Sequence, residues 1–114
     1  MGLLYYNGIP TNVKIGGHNY KIRYPYSFIS NDDSYGEIRP KMNLILIRDI
    51  DQSGVTLPKS TIWVTFIHEL LHAVDHVSGR VVFKDEHSVE ACSEIIYQIL
   101  VDNNWINIEQ EKAK

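Results

Sequence analysis

The fold prediction depends on the stretch IWVTFIHELLHAV at positions 62–74. Drawn as a helix, this stretch has apolar residues on every side, which indicates a helix packed against other elements rather than lying on the surface. Ser60 or Thr61 is the expected N-cap, and Ser78-Gly79 is the expected C-terminal stop. We therefore expect one largely buried helix here.

This helix carries an HExxH sequence, His68-Glu69-Leu70-Leu71-His72. Residues four apart lie on one face of a helix, so the imidazoles of His68 and His72 can reach the same metal ion. Glu69 lies roughly 100° around the helix, where its carboxylate can approach a metal-activated water without binding the ion. The sequence thus predicts a Zn²⁺ site with Glu69 as general base.

A competing interpretation is that the motif arose by chance and that the two histidines form ordinary hydrogen bonds in the core. The neighbours Phe66, Ile67 and Val74 argue against this interpretation, because unpaired imidazole and carboxylate groups are costly to bury among apolar side chains. A bound metal ion removes that cost.

The pattern of residues 13–47 predicts mainly strands. Alternating residues at 13–15 and 20–24 flank turn-forming residues at 16–19, which predicts a hairpin. Two further strand candidates follow at 35–39 and 42–47, and the second is nearly all apolar, as is typical of an interior strand. We expect an α+β fold with a small antiparallel or mixed sheet of three to four strands.

A second long helix is predicted after Asp85, its expected N-cap, and should end at Asn103-Asn104. Its expected apolar stripe is Val89, Cys92, Ile96, Ile99 and Leu100. The tail after it either docks through Trp105 and Ile108 or frays. At 114 residues the chain should form one domain over 1–114, with a core of about 13–104 and a C-terminal tail at 105–114.

A catalytic zinc ion needs a third protein ligand, and the candidates on the second helix are Glu86, His87, Glu90 and Glu94. In an antiparallel helix hairpin Glu90 lies at about the height of His72, so we rank Glu90 first and Glu86 second. Glu94 could instead hydrogen-bond a metal-bound imidazole, and His87 is the weakest candidate.

Two further residues near the motif, Asp75 and His76, carry side chains of the types that bind or orient metal ligands. His76 lies roughly 12 Å along the helix from His68, too far to share one ion. Asp75 could orient His72, or pair with His76 or Arg80. We expect His18 and His87 to be exposed.

The composition of the chain argues against several classes of function and location. The net charge of −3 gives no basic surface for a nucleic-acid backbone. The lone Cys92 forms no internal disulfide and suits a reducing compartment. The N-terminus lacks a signal-peptide pattern, and no apolar run approaches the roughly 18 to 20 residues of a membrane span. We expect a cytoplasmic protein without membrane or nucleic-acid partners.

The pattern resembles small zinc metallopeptidases of the gluzincin group, particularly short phage- and prophage-encoded proteins related to the ImmA/IrrE family. The similarity covers roughly residues 13–104, and rests on residues 65–73, the strand at 43–47 and the segment 86–90 opening the next helix. It implies that His68 and His72 bind zinc and that Glu69 is the base. It also implies a Glu ligand from the following helix and an edge strand that holds an extended substrate.

The segment around the third ligand departs from the family's pattern. The family's third-ligand helix often reads Glu, two residues, a small residue and then Asn. Neither Glu86 nor Glu90 opens such a segment, so the third ligand stays open between them.

The function predicted from the sequence is therefore a zinc metallopeptidase that cleaves a peptide or protein substrate bound in extended conformation. The alternative is a catalytically inactive, zinc-stabilised peptide-binding or phage accessory module. A non-peptide amide hydrolase would use the same chemistry.

Overall fold

The computed structural model describes residues 8–26, 34–79, 82–83 and 85–106. Within them lie four strands, β1 (Asn12–Ile15), β2 (His18–Arg23), β3 (Gly36–Arg39) and β4 (Leu44–Ile47), and two helices, α1 (Lys59–Val77) and α2 (Glu86–Asp102). A short 3-10 turn, Pro40–Met42, joins β3 to β4. The predicted α+β fold is confirmed. Neither helix is both long and apolar enough to cross a membrane.

The four strands form one mixed sheet in the order β1-β2-β4-β3. β2 runs parallel to β4, whereas the β1–β2 and β3–β4 pairs are antiparallel. The hairpin turn is shorter than expected: Gly16 and Gly17 form it with positive φ, and His18 and Asn19 already belong to β2. Two residues with positive φ suffice for such a turn, and glycine adopts that conformation at little cost.

β4 is the interior strand that the sequence predicts. Ile45, Leu46 and Ile47 are fully buried. The main core includes Ile45 and Ile47, together with Tyr20 and Ile22 from β2 and side chains of α1. The sheet therefore supports α1 from one side.

α1 begins earlier than expected. Its N-cap is Pro58, which makes no side-chain capping bond, so the predicted caps Ser60 and Thr61 are wrong. Pro58 is extended (φ −63°, ψ 153°), and its carbonyl accepts a hydrogen bond from the Ile62 N–H at 3.1 Å. The helix is thus already formed at Ser60. At the other end the prediction is confirmed, since Ser78 is the C-cap and Gly79 has a φ of 86°.

α2 is capped as predicted. The Asp85 carboxylate accepts hydrogen bonds from the Ser88 N–H and hydroxyl, both at 2.9 Å. The helix ends at Asp102, and Asn103 is its C-cap. Its first turn is therefore fixed by a side chain, as is typical of a well-defined helix start.

The apolar stripe of α2 is shifted from the expected one. Ile99 is exposed, whereas Ser93 is fully buried. The face toward the core follows positions 89, 93, 96, 97, 100 and 101, because a helical face repeats every three to four residues. Position 99 lies off this face.

The chain after α2 docks through Ile106, which is buried, whereas Trp105 is exposed. The prediction that Trp105 docks the tail is therefore wrong. The other predicted contact, Ile108, lies outside the described residues. Ile106 follows the Asn103-Asn104 stop closely enough to fold back onto the core: its N–H donates to the Leu100 carbonyl at 3.2 Å.

The β1–β2 turn packs against the end of α1, which gives a test of the fold. A Cβ at Gly16 (φ +55°) would overlap the Val77 Cγ1 atom, whereas a Cβ at Gly17 (φ +89°) would meet nothing within 4 Å. Both alanine substitutions carry the left-handed strain of about 1–2 kcal/mol. Gly16→Ala should cost about 1–3 kcal/mol more in urea unfolding, because it also overpacks the contact with Val77. Equal losses for the two variants would contradict the described packing.

Candidate metal centre

The two histidines of the motif converge on one point. His68 and His72 lie one turn apart on α1, and their Nε2 atoms are 3.2 Å apart. Two nitrogens bound tetrahedrally to one zinc ion at about 2.0–2.1 Å would lie about 3.4 Å apart. The observed separation is slightly shorter, so a small outward movement of the rings would admit an ion.

Glu86 completes a set of three ligand groups. Its Oε2 lies 2.8 Å from His68 Nε2, and its Oε1 lies 3.1 Å from His72 Nε2. Within the described ranges, these three residues are the group whose ligand atoms all fall within 4.8 Å of one another. Two imidazole nitrogens and one carboxylate form the donor set of many catalytic zinc sites.

The first-ranked third ligand, Glu90, is not part of this group; the second-ranked Glu86 is. Glu90 is exposed and lines the same cavity. Matching heights by counting residues fails here because Val82 and Phe83 already contact α1 before α2 begins. The backbone N–H groups of Val82 and Phe83 donate to Asp75 Oδ1 at 3.1 and 3.2 Å, so α2 begins beside the histidines.

The remaining polar residues of the prediction lie around the centre. His87 and Glu94 are exposed and line a neighbouring cavity that also touches His68. His18 is exposed as expected, and it lines a separate cavity with His76 near the end of α1. These four side chains are absent from the ligand group found among the described residues.

Glu69 is buried beside these candidate ligands, with 8% of its surface exposed. Burial raises the pKa of its carboxyl from 4.5 to about 7, and the negative charges of Glu86 and Glu37 add to the increase. Desolvation and neighbouring carboxylates both disfavour the ionised form. A carboxyl with this pKa suits proton transfer near neutral pH.

A cavity of about 410 Å³ opens over these groups. It is lined by the ligand group and Glu69, and by Ser34, Tyr35, Gly36, Val64, Thr65 and Glu90. A Cβ at Gly36 would come within 2.6 Å of Thr65 Cγ2 and 3.2 Å of Glu69 Oε2. Gly36 therefore allows β3 to approach the buried carboxylate closely.

This role of Gly36 and the contacts of Asp75 were not predicted from the sequence. A glycine inside a predicted strand is a known signal of close backbone approach. The Asp75 contacts carry no comparable signal, because they are made to the backbone amides of Val82 and Phe83, which every residue except proline possesses.

No family model, curated protein sequence or solved structure matches this chain.

The buried Glu69 should make stability depend on pH in the metal-free protein. Its pKa of about 7 in the folded protein lies above the ordinary value of 4.5, so ionisation of Glu69 costs no stability below about pH 4.5. The cost grows up to about pH 7 and is constant above. Glu69→Gln removes this cost. In EDTA, urea unfolding should show the variant gaining roughly 1–3 kcal/mol on the wild type between pH 5 and pH 8.

The matched control is Glu94→Gln, which removes one carboxylate from the exposed part of α2. It should leave the pH profile close to that of the wild type. A Glu69→Gln profile parallel to the wild-type profile would contradict the burial of this carboxylate.

Proposed function

We propose that this protein is a zinc-dependent hydrolase, and most specifically a metallopeptidase. The observation that carries the proposal is the convergence of His68 Nε2, His72 Nε2 and the Glu86 carboxylate on one point, beside the buried Glu69. Three protein ligands leave a fourth position for water or substrate, which distinguishes a catalytic zinc site from a closed structural one.

The donor set favours zinc over harder cations. Magnesium and calcium prefer sites made of oxygen atoms, whereas borderline-soft zinc takes imidazole nitrogen readily. When bound, zinc would supply a Lewis acid that acidifies water and polarises a carbonyl group.

Glu69 would move the proton in this reaction. Its carboxylate would accept a proton from the attacking water as the new C–O bond forms, and would return a proton to the amine as the C–N bond breaks. Its position next to His68 and its burial support this role, since the carboxylate faces the cavity but is outside the ligand group.

The edge strand supports an extended peptide as substrate. β3 is an outer strand of the described sheet, paired on one side with β4. Gly36 of β3 and the preceding Tyr35 line the cavity. A peptide could therefore add to β3 by backbone hydrogen bonds, which is a common way of binding extended segments.

The cellular setting is proposed from the sequence. The lone Cys92 fits a reducing compartment, and the resemblance to phage-related gluzincins favours the cytoplasm of a bacterial or phage-infected cell. This setting is compatible with a peptidase that acts on proteins inside the cell.

Substitution of Glu86 and of Glu90 in turn tests which of these two carboxylates of α2 is the third zinc ligand. Glu86→Ala should weaken zinc binding by at least about tenfold in competition with a chelator, because a ligand of the ion is lost. Glu90→Ala should bind zinc within about twofold of the wild type, since Glu90 is outside the ligand group. The reverse order of effects would restore Glu90 as the third ligand.

Glu69→Gln tests catalysis. With stoichiometric zinc bound, the variant should cleave a randomised decapeptide mixture about 10²–10⁴ times more slowly than the wild type, because general-base catalysis is lost. Cleavage products would be followed by mass spectrometry. Wild-type protein that holds zinc yet cleaves nothing would contradict the peptidase proposal and favour the binding-module alternative.

A further inference from the structure

Asp75 is a buried carboxylate that the proposed chemistry does not use. Only 8% of its surface is exposed. Its Oδ1 accepts hydrogen bonds from the backbone N–H groups of Val82 and Phe83, at 3.1 and 3.2 Å. Hydrogen bonds to a carboxylate are stronger than those between neutral groups. Asp75 therefore ties the connection between the helices to α1.

This tie lies on the metal-binding face of α1. Positions 68, 72 and 75 are spaced by four and three residues, so the three side chains share one face. Asp75 lies about 4.5 Å along the axis from His72, toward the end of the helix. Val82 and Phe83 are thus held about one helical turn beyond His72, toward the C-terminal end of α1.

The tie is also close to the third ligand along the chain. Glu86 follows Phe83 by three residues, a span of at most about 10 Å when extended. Asp85 caps α2 through Ser88 and so fixes the first turn, in which Glu86 is the first helical residue. With both ends of this short segment held, the Glu86 carboxylate is confined to the region of His68 and His72.

We propose that Asp75 is a positioning residue for the metal centre: it clamps the α1–α2 connection so that Glu86 reaches the two histidines. This inference rests on the proposed zinc site. It differs from a general stabilising role, because it predicts a change in metal coordination rather than a loss of folding alone.

The test is the visible spectrum and affinity of the cobalt(II)-loaded protein, which report the number of ligands directly. Asp75→Ala should bind cobalt at least about tenfold more weakly, and its spectrum should match that of Glu86→Ala. Asp75→Asn retains an Oδ1 acceptor for both amides, so it should keep the wild-type spectrum. In the Glu86→Ala background, Asp75→Ala should have no further effect on affinity.

A second pair of variants removes the donor of one of these hydrogen bonds instead of its acceptor. The buried Asp75 carboxylate therefore stays in place. Val82 is exposed, and Val82→Pro removes the N–H that Asp75 accepts, whereas Val82→Ala keeps it. Val82→Pro should weaken cobalt binding by roughly half as many decades as Asp75→Ala, since one of two bonds remains. Val82→Ala should bind as the wild type does.

The outcomes separate this inference from the proposed function. Wild-type protein that binds no cobalt would overturn both. A wild type that binds cobalt, with Asp75→Ala or Val82→Pro showing unchanged spectrum and affinity, would overturn the positioning role and leave the zinc site intact. Should Asp75→Ala fail to unfold cooperatively in urea, the Val82 pair decides alone.

Discussion

The approach of two imidazoles on α1 and one carboxylate on α2 to a single point is the interaction on which the rest of the site depends. Nitrogen and oxygen donors gathered in this way are suited to holding a metal ion. Here His68 and His72 direct their Nε2 atoms at one point, and Glu86 faces both of them. The rest of the fold brings this third group to α1 and holds it there.

The sheet contributes on the opposite side of the site. Its fully buried strand β4 anchors β3, and Gly36 lets β3 approach α1 more closely than a residue with a Cβ would allow. The cavity consequently has the backbone of β3 beside Glu69, and α1 and α2 supply most of its remaining lining. Sites built on such elements hold their geometry more closely than sites built on loops.

The parts of this arrangement that follow local rules were predictable from the sequence. The HExxH spacing predicts the shared face of His68 and His72, the apolar run predicts β4 as interior, and Asp85 predicts the start of α2. The choice between Glu86 and Glu90 was not predictable in this way, because it depends on the contact of Val82 and Phe83 with α1. That contact is made by hydrogen bonds from their backbone amides to Asp75, and such bonds have no residue-type signature. The N-cap failed for a similar reason: Pro58 begins α1 without a capping side chain, so Ser60 and Thr61 lie inside the helix.

The two helices contribute groups of unequal accessibility to the site. His68 and His72 belong to the middle of α1, and their side chains are 19% and 29% exposed, whereas Glu86 is the first residue of α2 and its side chain is 57% exposed. Solvent therefore reaches the carboxylate more easily than either imidazole. Rotation of the Glu86 side chain alone would separate it from both rings, while the first turn of α2 stays capped by Asp85. The sheet and the interior of α1 would stay intact throughout.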